Sequence, residues 1–364
     1  MNILFIVPYP VDCAPSQRLK FEQHLGYLKR NGIKCTVRPF MSQRFYNIVY
    51  KEGMLLKKIG FTLLCYIKRI FTLFEAVRSD IVYLHLEASP FGPPVFECFL
   101  KFIKKKIIYD IDDAIFMPNY NQVNRIVKLL DDPNKVFKIF QFSSHIIVVT
   151  NYLKKRALAY NSNVTYIPPT IDTDKYHPKA DYNKKGVVCI GWSGSRTSSI
   201  YLKLLDNVLR VISKKYDVRI KVIGNTDFKI EGISNFTSMD WCRETEVEDL
   251  QEIDIGLYPL PKNEWVLGKG GLKALQYMGM GIPVVCSDIG ACTEFIDDGI
   301  NGYLVDSDDE WVDKISMFVE SHELRKKIGL AGRKTVEDKF SVKANSIKYL
   351  ETINKVYYYR AMEG

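Results

Sequence analysis

Two lysines stand four residues apart among glycines in the segment GKGGLKALQYMGMGIPVVCSD, residues 268–288. On one helical turn the ammonium groups of Lys269 and Lys273 would point the same way. Gly268, Gly270 and Gly271 permit close backbone approach or unusual dihedral angles. A solvated lysine face is the common alternative, but it does not explain three glycines before an apolar helix. The pattern therefore favours a phosphate site.

A second phosphate candidate is VVCIGWSGSRTSSIYLKLL, residues 187–205. The pattern predicts a buried strand that ends at Gly191 and a helix that begins near residues 197–199. Small residues lie between them: Ser193, Gly194 and Ser195. Their amides could bind an anion at the helix N-terminus, and Arg196 adds a bidentate donor. A strand-to-helix turn capped by serine is an equal alternative.

Three carboxylates crowd the segment YDIDDAIF, residues 109–116, at the end of a predicted strand. Asp110 and Asp112 would share one face of that strand, and Asp113 the other. The group could bind a divalent metal, act as acid or base, or hold an acceptor hydroxyl. The alternative is a solvated turn in which an aspartate caps the next helix.

Polar residues also follow two other predicted strands of the front half. In VPYPVDCAPSQRLKFEQHL, Ser16 and Arg18 fall in the first turn of a helix after a proline-rich loop. In VYLHLEASPFGPP, His85 and Glu87 fall at a strand end. A structural arginine and a packed histidine are the alternatives at these positions.

Short apolar runs alternate with helical patterns through both halves of the chain, which predicts parallel sheets covered by helices. A length of 364 residues favours two domains. We predict an α/β fold with doubly wound domains at 1–172 and 173–342. The final helix, at about 343–364, is expected to pack back on the first domain. Such sheets bind ligands outside the carboxyl ends of their strands, where the polar candidates fall.

Charge and cysteine usage narrow the class of protein. Residues 1–180 contain 26 Lys and Arg against 14 Asp and Glu, whereas the remainder contains 25 against 28. The front half should therefore meet any anionic surface. Eight cysteines without paired spacing indicate reduced thiols in a cytosolic protein and no zinc site.

One predicted helix, in MLLKKIGFTLLCYIKRIFTLFEAVR, has an unusually wide apolar surface. Its polar residues form one narrow stripe: Lys58, Thr62, Arg69 and Thr72, flanked by Lys57, Lys68 and Glu75. Such a helix is either buried against the sheet or lies in a membrane interface. The positive charge of the front half favours an anionic membrane, contacted through residues 51–78.

Taken together, these stretches resemble family 4 glycosyltransferases of the GT-B fold. The resemblance runs from ILFIVPYPVDCAPSQRLKFEQHL through YDIDDAIF, YIPPTIDTDKYHP, IGWSGS and DIGLYPL, and it is most specific in GKGGLKALQYMGMGIPVV and GACTEFIDDGINGYLV. It implies that the first domain binds the acceptor and the second the nucleotide sugar.

The resemblance assigns roles to individual positions. It places Arg196 with Lys269 or Lys273 on the donor pyrophosphate. It implies further donor contacts from the adjoining residues: Gly191, Ser193, Gly194, Ser195, Gly270, Gly271 and Leu272. Relatives carry a histidine where this chain has YDIDD, so Asp112 or Asp113 is expected on the donor sugar or the acceptor hydroxyl. Ser16, Arg18, His85 and Glu87 are expected at the acceptor or the donor phosphate.

The chain departs from the family pattern at two glutamate positions. Relatives carry glutamates eight residues apart, and here those positions are Gly268 and Gln276. The amide of Gln276 can still bind ribose hydroxyls. Glu264 and Glu294 are the candidates for the missing carboxylate near the sugar.

The resemblance implies a retaining hexosyltransferase of class EC 2.4 in bacterial surface polysaccharide or glycolipid biosynthesis. Its co-substrate would be a UDP or GDP sugar, and its acceptor a glycan or a polyprenyl- or lipid-linked glycan. No metal, other cofactor or nucleic acid is expected. The protein would be cytoplasmic, with the inner face of the cytoplasmic membrane as one location. A non-hydrolysing nucleotide-sugar epimerase and an inactive sugar-nucleotide-binding subunit are the alternatives.

Overall fold

The computed structural model describes residues 1–49, 51, 53–117, 132, 134–178 and 186–358. It divides into two compact units. The first comprises Met1–Pro169 and the residues from Asn345 onward, and the second comprises Thr170–Ala344. Each unit contains a six-stranded parallel sheet with helices, so the predicted α/β fold class is confirmed.

The first unit has six strands, and its central strands are apolar runs of the front half, buried on both faces as parallel strands require. Their order is β2-β1-β3-β4-β5-β6. Their bounds are β1 Asn2–Val7, β2 Lys34–Pro39, β3 Ile81–His85, β4 Lys106–Ile111, β5 His145–Val148 and β6 Val164–Tyr166.

Helices of very different length cover this sheet. They are α1 Pro15–Arg18, a 3₁₀ turn Glu22–His24, α2 Leu25–Arg30, α3 Gln43–Val49, α4 Leu55–Arg78, α5 Val95–Phe102, α6 Lys135–Phe142 and α7 Asn151–Leu158. Thr150 caps α7 by accepting a hydrogen bond from the amide of Leu153.

The second unit has the strand order β12-β11-β10-β7-β8-β9. Its strands are β7 Val188–Ser193, β8 Val218–Ile223, β9 Phe236–Met239, β10 Ile255–Tyr258, β11 Val284–Ser287 and β12 Tyr303–Val305. Its helices are a 3₁₀ helix Ser199–Leu205, α8 Asp206–Lys215, α9 Glu246–Gln251, a 3₁₀ helix Glu264–Gly268, α10 Leu272–Gly279, α11 Cys292–Phe295, α12 Asp308–Glu320, α13 His322–Thr335 and a π-helical turn Val336–Phe340.

The last helix, α14 Val342–Tyr358, completes the core of the first unit. Tyr349, Ile353 and Val356 lie in one apolar cluster with Phe5 and Tyr83 of the sheet. The chain therefore returns to the first unit after it has built the second. The end of the predicted helix, residues 359–364, lies outside the described residues.

Strand order places a crevice in each sheet. The order reverses between β1 and β3 in the first unit and between β7 and β10 in the second. Open parallel sheets bind ligands at the carboxyl ends of the strands on either side of such a reversal. The loops after β1 and β3, and those after β7 and β10, are therefore the places to look for a site.

Two edge strands were not predicted. Both β6 and β9 are short, partly exposed and polar in part, with the sequences VTY and FTSM. An edge strand has one neighbour and little apolar burial, so its sequence lacks the continuous apolar run of a central strand.

Candidate active site

The loop after β7 contains small residues whose amides already have partners. The amide of Ser193 donates to the Tyr277 hydroxyl at 2.6 Å, that of Gly194 to the Ile223 carbonyl at 2.9 Å, and that of Ser195 to Ser198 Oγ at 3.0 Å. An anion at this loop would therefore meet side chains before it met these amides. The predicted helix begins at Ser199, but as a 3₁₀ helix that becomes α only at Asp206.

Hydroxyl groups cluster on the exposed side of this loop. Ser195 Oγ lies 2.9 Å from Thr197 Oγ1 and 3.1 Å from Ser198 Oγ. The ammonium group of Lys273 donates to Ser198 Oγ at 2.9 Å. Three hydroxyls and one cation are thus connected at the end of β7, which is a donor-rich arrangement suited to phosphate oxygens.

Lys273 occupies the second position of α10, and its ammonium group lies 4.4 Å from the centroid of the Trp192 ring. A Cβ atom on Gly194 would stand 2.4 Å from Lys273 Nζ, so glycine leaves the space that this group fills. Burial, and then the charge of Lys269, lowers the pKa of Lys273 to about 7. Within the described ranges no carboxylate pairs with this cation, so an anionic ligand would stabilise it.

Lys269 lies outside the helix that contains Lys273. It follows the 3₁₀ helix Glu264–Gly268 in extended conformation, and its ammonium group lies 3.8 Å from the centroid of the Trp265 ring. The expectation that the two lysines share one helical turn is therefore wrong. Their charges still interact, since Lys269 contributes to the lowered pKa of Lys273.

Gly271 has a structural reason to be glycine. It precedes α10 at φ 70°, and a Cβ atom there would meet the Phe295 ring at 2.7 Å. Gly191 is similar, because a Cβ atom in its place would lie 2.4 Å from the side chain of Ile253. Gly270 and Leu272 flank Gly271, at the entrance to α10.

Arg196 forms an ion pair with Asp227, and both side chains are mostly exposed. The structure gives it no contact with Lys269 or Lys273 among the described residues. A surface pair of this kind contributes at most about 1 kcal/mol, so a phosphate could replace Asp227 at little cost.

Gln276 is buried beside a carboxylate that sequence reasoning missed. Its amide nitrogen lies 3.4 Å from Glu246 Oε1, and the Tyr176 hydroxyl donates to Glu246 Oε2 at 2.7 Å. Lys175 Nζ lies 3.6 Å from the same carboxylate. At the position where the sequence resemblance implies a glutamate, this chain thus has an amide that contacts a glutamate from α9. No sequence signal links these residues, because thirty positions separate them.

The two glutamates considered as replacements are both exposed. Glu264 begins the 3₁₀ helix before Lys269, and Glu294 lies on α11, whose Phe295 ring packs against Gly271. Their predicted roles stay predictions.

The first unit contains a buried cluster where β3 and β4 end. His85 and Asp110 are register neighbours, and His85 Nδ1 lies 3.1 Å from Asp110 Oδ2. Lys20, which is also buried, forms an ion pair with the other oxygen of Asp110. Burial alone would raise the pKa of Asp110, but Lys20 and His85 outweigh it and hold the pKa below its usual value. The other ring nitrogen of His85, Nε2, is buried without a hydrogen-bond partner in the described structure.

Asp112 and Asp113 follow the last residue of β4 and differ in environment. Asp113 Oδ1 accepts a hydrogen bond from the amide of Ala114 at 2.9 Å. Burial raises the pKa of Asp112, and its Oδ1 is buried without a hydrogen-bond partner in the described structure. Across the described ranges no three His, Cys, Asp or Glu side chains are grouped as metal ligands would be. Asp112 is therefore better placed than Asp113 to bind a hydroxyl group.

The remaining predicted residues of the first unit lie on α1 and directly after β3. Ser16 and Arg18 belong to α1, where Arg18 is buried and Ser16 is partly exposed. Glu87 follows β3 and pairs with buried Lys135 Nζ at 3.2 Å. Lys20 and Lys135 escaped prediction because nothing in the sequence separates a buried, paired lysine from a solvated one.

A segment of the second unit matches a known family model. Residues 184–321 match the model of the glycosyl transferases group 1 family. The capsular polysaccharide biosynthesis glycosyltransferase CapM of Staphylococcus aureus is 21% identical over 226 residues, which are 57% of this chain and 57% of CapM. The aligned region thus spans little more than half the length of that relative.

Solved structures show the fold of the whole chain. Sucrose-phosphate synthase from Thermosynechococcus elongatus has a TM-score of 0.72 and 13% identity, covering 98% of this chain and 99% of that one. HepE from Anabaena, solved with UDP and glucose, has a TM-score of 0.68 and 14% identity, covering 98% and 100%. The GT-B fold and the family resemblance predicted from the sequence are confirmed.

Proposed function

We propose that this chain, with the GT-B fold and a segment that matches the glycosyl transferases group 1 family, transfers a sugar from a nucleotide-diphosphate sugar to a glycan or lipid-linked acceptor. We further propose that it retains the anomeric configuration and acts in bacterial surface polysaccharide or glycolipid assembly. The match to a capsular polysaccharide glycosyltransferase supports that setting.

The observation that carries the proposal is the environment of Lys273. This cation has a hydroxyl and an aromatic ring as neighbours, its pKa is about 7, and it lies at the strand-order reversal between β7 and β10. A diphosphate bound there would stabilise the ammonium form, and the ammonium would stabilise the charge that develops on the leaving group. Ser195, Thr197 and Ser198 would donate to the phosphate oxygens, with Lys269 as a second cation.

The proposed sugar transfer needs no reactant besides the nucleotide sugar and the acceptor. The bond from the anomeric carbon to the phosphate oxygen breaks, and a bond to the acceptor oxygen forms. The acceptor proton passes to the leaving phosphate. In the first unit, Asp112 Oδ1 and His85 Nε2 are buried without a hydrogen-bond partner in the described structure, and either could bind a hydroxyl group of the donor sugar or the acceptor. We propose that they orient that hydroxyl.

The nucleotide, the acceptor and the cellular location are further parts of the proposal. UDP is favoured as the nucleotide because the structural neighbour HepE was solved with UDP and glucose. A polyprenyl- or lipid-linked acceptor would place the enzyme at the inner face of the cytoplasmic membrane. Among the described residues no helix is long and apolar enough to cross a membrane.

The first experiment measures thermal stabilisation by UDP, GDP, ADP and CMP, with and without magnesium. A ligand at one hundred times its Kd stabilises the folded state by about 2.7 kcal/mol. We expect one diphosphate to raise Tm and Lys273→Ala to abolish that rise. Arg196→Ala should reduce it less, because Arg196 is paired with Asp227. The control is Lys214→Ala, an exposed lysine on α8.

Several outcomes would contradict the proposal or narrow it. Stabilisation by no nucleotide, or an equal response from Lys273→Ala, would show that the lysine does not bind phosphate. If a diphosphate binds, sugar transfer is then tested across a panel of donors and acceptors. Conversion of the donor without an acceptor would indicate an epimerase. Binding with neither transfer nor donor hydrolysis would indicate an inactive sugar-nucleotide-binding subunit, an alternative that Gly268 and Gln276 motivate.

A further inference from the structure

Helix α4 (Leu55–Arg78) turns its apolar face away from the protein. Nine of its large apolar side chains are more than half exposed. Six of the nine recur at spacings of three, four or seven residues: Leu56, Leu63, Ile67, Phe71, Phe74 and Val77. Helical spacing puts them along one face of a helix about 36 Å long. A helix of a soluble domain normally buries this face.

The buried side of α4 combines small, polar and charged residues: Cys65, Arg69, Thr72 and Ala76. Arg69 is 1% exposed and donates to the carbonyls of Val7 at 3.0 Å and Arg38 at 2.9 Å. Thr72 is buried and donates to the Lys68 carbonyl. Arg69 and Thr72 of the polar stripe thus face inward. The alternative in which the wide apolar surface of α4 is buried against the sheet is therefore wrong. A contiguous exposed apolar face of this kind marks an interaction surface.

Helix α5 (Val95–Phe102) extends this surface. Tyr66 of α4 donates to the Phe91 carbonyl at 2.8 Å, and its ring centroid lies 6.1 Å from that of Phe96. These contacts hold α5 beside α4. Val95 and Phe102 on α5 are 62% and 82% exposed.

The charges around the apolar face have one sign. Lys57, Lys68 and Arg78 are exposed on α4, and Lys101 is exposed on α5. Each helix contains one acidic residue: Glu75, which pairs with Arg38, and Glu97, which is fully buried. A second copy of this face would bring like charges together, whereas anionic lipid headgroups complement them.

We propose that α4 and α5 form a docking surface for an anionic lipid bilayer. The helix α4 lies in the interface with its apolar side chains among the acyl chains and its cations at the headgroups. This proposal deepens the proposed function. It rests on that function only in taking the acceptor to be lipid-linked. Lipid binding is measured without donor or acceptor, so either proposal can fail alone.

The test is co-sedimentation with vesicles of equal parts phosphatidylglycerol and phosphatidylcholine, and with phosphatidylcholine alone. One variant combines Leu63→Gln, Phe71→Gln and Phe74→Gln, and a second combines Lys57→Gln, Lys68→Gln and Arg78→Gln. We expect each to lower the partition coefficient on anionic vesicles by at least about tenfold. Binding should also weaken as salt is added.

The matched control combines Ile300→Gln, Leu330→Gln and Ile347→Gln, which are exposed apolar residues elsewhere in the chain. It should bind as the wild type does. Failure of the wild type to bind anionic vesicles, equal binding to phosphatidylcholine alone, or wild-type binding by both test variants would overturn the proposal. So would a dimer in lipid-free solution that the Leu63, Phe71 and Phe74 variant converts to a monomer, because a second copy would then cover the face.

Discussion

At the residue scale, Lys273 has the environment of a binding group rather than of a structural one. Its ammonium group is partly buried, donates to a single hydroxyl and stands over the Trp192 ring. Lys20, a buried cation of the first unit, has the carboxylate of Asp110 against it. This difference between the two lysines supports the proposal that the phosphate binds in the second unit.

The pH dependence of stability tests the state of Lys273. Its pKa falls from 10.5 to about 7 on folding. Between those values the unfolded chain binds more protons, so stability should rise with pH through this window. We expect Lys273→Met to remove that rise and Lys214→Met to preserve it, as measured by urea unfolding at pH 7 and 9. Parallel pH profiles for Lys273→Met and the wild type would contradict the assignment.

The contact between Gln276 and Glu246 predicts the effect of placing a glutamate at position 276. Gln276→Glu would place two carboxylates about as close as the present 3.4 Å contact, both largely buried. We expect a loss of about 1–3 kcal/mol of unfolding free energy at neutral pH, smaller at pH 5 because one carboxylate is then protonated.

A charge exchange provides the control for this position. The double variant Gln276→Glu and Glu246→Gln restores one amide and one carboxylate, so it should recover most of the lost stability. Equal stability of Gln276→Glu and the wild type at neutral pH would show that the two side chains separate without cost.

At the element scale, the start of α10 depends on the backbone at Gly271. Its φ of 70° and the Phe295 ring both disfavour a side chain. Gly232 has φ 84° with open space around it, so it shares the backbone constraint alone. We expect Gly232→Ala to cost about 1 kcal/mol and Gly271→Ala at least about 1 kcal/mol more, with weaker nucleotide binding only in the latter. Equal losses in chemical unfolding would mean that Phe295 moves freely.

At the scale of the whole molecule, the chain leaves the first unit, builds the second, and returns through α14. His24 Nδ1 lies 2.8 Å from Ser346 Oγ, and Ile353 is fully buried in the core of the first unit. We expect Ile353→Ala to destabilise the first unit by about 2–5 kcal/mol. Limited proteolysis should then cut the first unit before the second. The control is Ile347→Ala on the same helix, where the side chain is 43% exposed.

The sequence by itself determined the elements and their class. Apolar runs located the central strands of both sheets, and the GKGGLKALQYMGMGIPVV segment located the start of α10. These are local signals, because the period of side-chain burial follows the period of the backbone. The edge strands β6 and β9 had no such signal, since little of either is buried.

Only the tertiary structure decided which side chains meet. Strand order brought Asp110 beside His85 and Lys20, and packing brought Glu246 to Gln276. Packing also placed Arg69 on the buried side of α4 and the apolar face of α4 on the exposed side. Helical periodicity alone did not decide which side of the helix is buried. A sequence pattern specifies the faces of an element, but the partner of each face depends on residues distant in the chain. For that reason the sequence could propose a phosphate site, whereas the hydrogen bonds among its residues could not be predicted.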